Sequence, residues 1–296
     1  MSAKIISFIS EKGGVGKTTC CYHIAIGLER FHKKKVLVVD TDYQRGGITC
    51  RLIPSMLEHF KKGKVPNKTL YTVFRGLYSD MDLEEIPQPE VIIGNYNTPL
   101  IPSDPRLTEV TIDKLPGRTN VLERSMLDYN HLSAISNALA PYKDKYDYIL
   151  IDTHPEISHL LRSVIFASHF SVSPVKLDLQ SSVGVPSAIE AIRGVNKDRE
   201  ILERTLDLPT TPETIFAGAI GMMTKEYNGD LIFTMKKQYV RLKKTDSIFN
   251  NYVTEGDGLR VAAEQYLAVY DCDGTTADKQ SWQFRSIVNE FIARCN

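Results

Sequence analysis

Between a short apolar run and a helical stretch, residues 11–19 read EKGGVGKTT. Gly13, Gly14 and Gly16, with Val15 among them, let successive backbone N–H groups turn inward around phosphate oxygens. Lys17 stands where an ammonium reaches β- and γ-phosphates, and the Thr18 hydroxyl stands where it can ligate Mg²⁺. A helix opening at Thr18 and Thr19 adds the positive end of its dipole. This is the chemistry of a nucleoside triphosphate site. It leaves one residue over: a second lysine, Lys12, on the far side of the glycines.

Two acidic clusters belong with that site. VVDTDYQ places Asp40 and Asp42 just past one apolar run, and YILIDTHPE places Asp152 just past another. Carboxylates at strand ends of a phosphate-binding sheet can hold Mg²⁺, directly or through water, and can orient an attacking water.

These residues need a scaffold that brings distant strand ends together. Lys4–Ser10 is a short apolar run that stops at the glycines, as a buried strand does. Thr18–Arg30 has helical spacing, with Ile24, Leu28 and Phe31 to one side, and KVLVVD (Lys35–Asp40) reads as a second buried strand. Further strands are expected at Tyr146–Asp152, His169–Val175 and Ile215–Met223, each after a helical stretch. Continuous apolar runs alternating with helices predict an α/β fold: a single P-loop NTPase domain over residues 1–296, with a mostly parallel twisted sheet and helices on both faces. Ligands of such sheets sit at the carboxyl ends of the strands. Residues 54–120 are the least regular part, interrupted by Pro66, Pro87, Pro89, Pro99, Pro102, Pro105 and Pro116, and read as a surface-exposed insertion.

Composition narrows the function classes. The chain has 296 residues, 42% hydrophobic and 24% charged, which are ordinary globular values. Net charge is +0, so any attraction to nucleic acid must come from a local patch. The five cysteines form no C-x-x-C, against a disulfide scaffold or a zinc site. The first residues, MSAKIISFIS, lack a signal-peptide apolar region, and no apolar run approaches a membrane span, so a cytoplasmic protein is expected.

The run Lys12-Gly13-Gly14-Val15-Gly16-Lys17-Thr18-Thr19 resembles the deviant Walker A motif of the ParA/MinD class of P-loop ATPases. DTDYQ (Asp40–Gln44), TLYTVF (Thr69–Phe74), PLIPSDPRLTEV (Pro99–Val110), YDYILIDTHPE (Tyr146–Glu156) and SPVKLDLQSSVGV (Ser173–Val185) resemble the ParA branch in the same order. The resemblance implies ATP and Mg²⁺ as cofactors and hydrolysis to ADP and phosphate. It implies that Lys12 crosses a dimer interface to the partner's nucleotide, relieving the charge of two facing triphosphates. It implies that Asp42 handles the attacking water while Asp40 and Asp152 serve the metal and the γ-phosphate response. The implied partners are a second copy in ATP, non-specific DNA of the nucleoid, and a cargo-bound, ParB-like adaptor that stimulates hydrolysis. The cargo is a plasmid, a chromosome or a protein assembly.

The sequence departs from the family in two places. His154 stands where many ParA proteins have proline, and Tyr43 replaces the usual proline before the switch glutamine. His154 reads as a solvated loop histidine, or else as a pH-sensitive or partner-reading one. The end of the strand at Met222, Met223 and Thr224 is the candidate for adenine contacts.

The DNA surface is expected at KKQYVRLKK, where Lys236, Lys237, Arg241, Lys243 and Lys244 are basic. Lys237, Arg241 and Lys244 share a helical face, with Phe233, Val240 and Met235 packing inward, and Arg260 resembles an arginine that ParA proteins use near that surface. The alternatives are a MinD-like membrane-cycling ATPase and a metabolic enzyme on the same core, either an iron–sulfur reductase or a small-molecule ligase. The first needs a basic amphipathic tail. SWQFRSIVNEFIARCN offers only Arg285 and Arg294 against Glu290, so its apolar face (Phe284, Ile287, Val288, Phe291, Ile292) is expected to dock on the sheet. For the reductase, Cys20 and Cys21 are expected in the first helix, and Cys50, Cys272 and Cys295 lack suitable positions to bridge a dimer.

Overall fold

The apolar runs pair as their composition requires, because strands buried on both faces need helices over each. The computed structural model describes residues 2–44, 47–178 and 181–296, with only the backbone at 181–183. In chain order the strands are β1 (Lys4–Phe8), β2 (Val36–Asp40), β3 (Ile92–Ile93), β4 (Pro99–Ile101), β5 (Tyr148–Asp152), β6 (Phe170–Val175), β7 (Ile215–Thr224), β8 (Glu226–Tyr227), β9 (Asp230–Leu231) and β10 (Ile248–Thr254). The helices are α1 (Lys17–His32), α2 (Ile48–Leu52), α3 (Met56–Lys61), α4 (Leu70–Tyr78), α5 (Val121–Leu139), α6 (His159–Ala167), α7 (Ser181–Thr205), α8 (Phe233–Lys243), α9 (Asp257–Glu264) and α10 (Thr275–Arg294).

Among the described residues the main sheet has eight strands in the order β10-β7-β6-β1-β5-β2-β4-β3. Its neighbours are parallel except the edge pair β3–β4. The fold is therefore the mostly parallel α/β P-loop arrangement. Ile6 and Phe8 of β1 join Val36, Val38 and Leu150 in one core beneath α1 and α10. Ile5, Leu37, Val39, Ile149 and Ile151 face the other way, into a core closed by α4, α5 and α6.

Residues 54–120 are not the surface insertion that their prolines suggested. They supply the β3–β4 edge, and Leu70, Phe74, Leu77, Ile86, Leu100 and Ile101 are buried. Two strands of two and three residues are too short to show a period, so the hydrophobic pattern could not announce them.

The C-terminal helix α10 docks on the sheet as its apolar stripe requires: Phe284, Ile287, Val288 and Phe291 are fully buried. Among the described residues no helix is long and apolar enough to cross a membrane. Phe291 lies parallel to Phe8 of β1, centroids 6.2 Å apart, directly before the phosphate loop. Phe291→Ala is expected to lower stability by about 3–5 kcal/mol, the cost of a large buried ring and its cavity, as measured by denaturant unfolding.

Candidate active site

Register builds the site. Phe8 and Asp40 each pair with Asp152, so the carboxyl ends of β1, β5 and β2 lie level. The phosphate loop leaves β1 at that level, and both strand-end carboxylates flank it. Gly14 (φ 68°) and Gly16 (φ 95°) take left-handed backbone that only glycine enters freely. A Cβ on Gly16 would also come within 3.2 Å of the Met222 methyl, so the loop rests on β7.

Lys17 is buried at the start of α1, its Nζ 3.4 Å from the Ser10 carbonyl. Burial pulls its pKa down, while the charges of Asp152 and Asp42 oppose that shift. The Thr18 hydroxyl donates to Asp152 Oδ2 at 2.7 Å. Asp152 Oδ1 is buried and has no hydrogen-bond partner among the described residues.

Asp40 has both oxygens occupied. Oδ1 accepts from the Asp42 N–H (3.0 Å), and Oδ2 from the N–H (2.9 Å) and hydroxyl (2.5 Å) of Thr49. It thus anchors the loop carrying Asp42. Asp42 is itself held, with Oδ1 accepting from the Gln44 N–H at 2.9 Å and its carbonyl accepting from Ser103 at 2.5 Å.

Burial marks all three carboxyls. Burial, partly offset by the Thr49 hydrogen bonds, pushes Asp40 up to about 7. Burial also raises Asp42, against the Gln44 N–H, His154 and Lys17. Asp152 lies well above the usual range, first through burial and then through the Asp40 charge.

The unpartnered Asp152 oxygen beside the Thr18 hydroxyl fits a hard cation. Among the described residues no group of three His, Cys, Asp or Glu side chains could hold a metal ion by itself. The Asp152 oxygen and the Thr18 hydroxyl suit Mg²⁺, which takes one or two protein oxygens and completes its shell with phosphate and water.

The remaining expected residues are spread out. Lys12 lies at the rim and pairs with Asp178 at 3.1 Å. Leu179 and Gln180, in the segment expected to continue from there, lie outside the described residues. Met222 is buried against Gly16, while the Thr224 hydroxyl is bound to the Val253 carbonyl. His154 is not solvated: it is 8% exposed and stacked on Tyr43 with ring centroids 4.0 Å apart. Tyr43 in turn donates to Glu156 at 2.9 Å, so the two departures from the family occupy one another.

On α8 and at its C-cap, Lys237, Arg241 and Lys244 are exposed, and no described carboxylate pairs with them, whereas Lys236 is bound to Asp230 and Lys243 to Asn250. Arg260 is on another helix, α9, 3.1 Å from Asp257. The inward side of α8 is corrected. Phe233 is 83% and Val240 45% exposed, whereas Met235 packs on the core as expected, joined by Tyr239 and Leu242 at the i, i+4, i+7 spacing.

Residues missed in the sequence are Thr49, Ser103 and Arg51. Arg51 alone left a signal, a cation inside the apolar run ITCRLI.

Residues 3–207 match the family model described as an AAA domain. The chain belongs to that family. Within it, this AAA-domain protein is a P-loop ATPase of the ParA/MinD type. A ParA family protein of Chlamydia trachomatis is 27% identical over 268 residues, spanning 89% of this chain and 94% of that one. Sporulation initiation inhibitor protein Soj of Bacillus subtilis is 29% identical over 194 residues, 66% of each chain. In fold, the chain is similar to Cyanothece McdA in complex with ATP (TM-score 0.68, 18% identity, 99% of this chain and 97% of that one). It is also similar to a plasmid partition protein of Borrelia burgdorferi bound to AMPPNP (TM-score 0.61, 24% identity, 99% of each).

The crowded carboxyls of this AAA-domain protein fix the sign of a pH effect. A carboxyl raised in the folded state holds its proton more tightly there, so stability is lost as pH rises through and above the ordinary carboxylate range. Asp152→Asn keeps the acceptor for Thr18 and removes the charge. The nucleotide-free variant is expected to melt above wild type at pH 8, with the gap closing toward pH 5, and to have lost ATP turnover. A melting temperature below wild type at pH 8 would contradict this account.

Proposed function

We propose that this chain is a DNA partition or positioning ATPase that dimerises on ATP, binds DNA without sequence preference, and hydrolyses ATP when a cargo-bound, ParB-like adaptor stimulates it. The single observation that carries the reading is the opposite placement of the two lysines. Lys17 is buried among the carboxylates of its own nucleotide site, while Lys12 is at the rim with its side chain 43% exposed. A rim cation beside a triphosphate site is suited to a phosphate chain presented by another subunit.

In this mechanism the loop N–H groups from Gly13 to Thr19 and the Lys17 ammonium hold the phosphate chain of ATP. Thr18 and Asp152 would hold Mg²⁺, which supplies charge neutralisation at the terminal phosphates. Asp40 acts through Thr49 and the Asp42 N–H, fixing the loop from which Asp42 orients the attacking water. Asp42 is a weak base tied to a backbone N–H, so unstimulated turnover is slow and leaves room for an activator. The proposed site of action is the cytoplasmic nucleoid, with no membrane partner.

Two experiments test the reading. With hydrolysis blocked by Asp42→Ala, light scattering is expected to give a dimer in ATP and a monomer in ADP, and adding Lys12→Gln is expected to remove that difference. An equally strong ATP dimer without Lys12 would end the trans-lysine assignment. For DNA, the ATP dimer is expected to bind random-sequence duplex with a log–log salt slope of roughly −0.9 per phosphate contact. Lys237→Glu with Arg241→Glu is expected to abolish binding in a filter or anisotropy titration without harming dimerisation. Unchanged affinity would move the DNA surface away from α8, and absence of ATP-dependent binding in wild type would point to a protein or lipid matrix at the exposed Phe233.

A further inference from the structure

Arg51 plays no part in the mechanism above. It sits on α2, with only 8% of its surface exposed. Its guanidinium carbon lies 4.2 Å from the centroid of the Tyr22 ring, on α1. One nitrogen, Nη1, reaches the Thr19 hydroxyl at 3.4 Å. The other two, Nε and Nη2, are buried and have no hydrogen-bond partner among the described residues.

No described carboxylate forms an ion pair with Arg51. Burial works against its charge, and Tyr22, Asp152 and Tyr96 favour it only through space. Guanidinium does not lose its proton in proteins, so the group remains a buried cation with two unused donors. Leaving such donors unmet is costly, and a native fold retains them where something else completes them.

The place of Arg51 says what completes it. Thr19 follows Thr18 in the first turn of α1, and Lys17, Thr18 and Asp152 already serve the terminal phosphates and the metal. Arg51 meets the helix one residue further along, at Thr19; with the terminal phosphates at Lys17 and Thr18, the chain would run back toward the nucleoside past that residue. Its two free N–H groups form the planar fork that matches two oxygens of one phosphate.

We propose that Arg51 is a further nucleotide-binding residue, donating Nε and Nη2 to the α-phosphate of the bound nucleotide. The inference rests on the nucleotide reading of the phosphate loop. It gives α2 a direct role: the loop anchored by Asp40 carries Asp42 toward the γ end and Arg51 toward the α end.

The test uses the full chain and two measurements, calorimetric titration with Mg·ADP and Mg·ATP and thermal unfolding without nucleotide. The variants are Arg51→Met, which keeps the stem and removes the charge, and Arg51→Lys, which keeps the charge and removes the fork. Arg51→Met is expected to melt higher than wild type without nucleotide, because an unpaired buried cation is gone. It is expected to bind ADP and ATP more weakly by the same factor, about 10- to 100-fold. Arg51→Lys is expected to recover part of that affinity, which keeps the proposal testable if the Met variant misfolds. Unchanged affinity with a lower melting temperature would mark a purely structural arginine and overturn the proposal. A loss confined to ATP would overturn the α-phosphate assignment in favour of the γ-phosphate. Wild type failing to bind either nucleotide would instead refute the phosphate-loop reading, an outcome separate from any effect at Arg51.

Discussion

Three carboxylates and one buried ammonium crowd the level ends of β2 and β5, and the site depends on how that charge is held. Sheet register makes the crowding unavoidable, because Asp40 and Asp152 are paired residues on adjacent strands whose preceding positions form the core. Moving either carboxylate would require slipping a strand, which in a sheet buried on both faces disrupts both cores at once. The charge is instead managed locally, by Thr18 on Asp152, Thr49 on Asp40 and a backbone N–H on Asp42. Among the described residues, the buried carboxylate oxygen left without a partner is Oδ1 of Asp152. The fold thus holds three carboxyls close together with one buried oxygen unmet, and in the proposed function a cation arriving with a phosphate chain would relieve them. Stability and ligand affinity are linked through the same few atoms.

The parts legible in the sequence are those whose signals are local. Strand, glycine loop, helix and strand in the first forty residues announce themselves by composition and spacing, and Lys17, Thr18 and Asp40 fall where that unit puts them, while Asp152 ends the separate apolar run of β5. The missed parts depend on which distant segments meet. Thr49 became visible only once the loop after β2 folded back on Asp40, and Ser103 only once β4 joined β2. His154 looked solvated because its loop is polar, but Tyr43, 111 positions earlier in sequence, covers its ring. Helix α8 shows the limit of periodicity most plainly. Lys237, Arg241, Lys244 and Met235, Tyr239, Leu242 obey one spacing rule, and only packing on β10 decides which set faces inward.

The exposure of Phe233 and Val240 beside those cations changes the character of the surface. A purely basic face attracts phosphate through counterion release, an interaction that salt weakens steeply. An exposed ring and a branched aliphatic at its margins add contact area whose contribution salt does not screen. In the proposed DNA-binding role such a face would act locally, since a chain of zero net charge offers an approaching polyanion no long-range attraction.

The same reasoning about magnitudes applies to the rim lysine. The Lys12–Asp178 pair has both side chains substantially exposed, at 43% and 39%. Exposed pairs of this kind contribute about 0–1 kcal/mol, less in salt. In the proposed dimer, a pair held by so little free energy would serve Lys12 as a resting position. In the proposed dimer the competing interaction is with a triphosphate at a subunit interface from which water is excluded, where each charge contact is stronger than at an open surface. Removing the γ-phosphate then withdraws the stronger partner, and the weak internal pair is enough to receive the lysine again. A nucleotide-controlled interface therefore requires that the internal contact of Lys12 be weak, and its exposure at the rim meets that requirement.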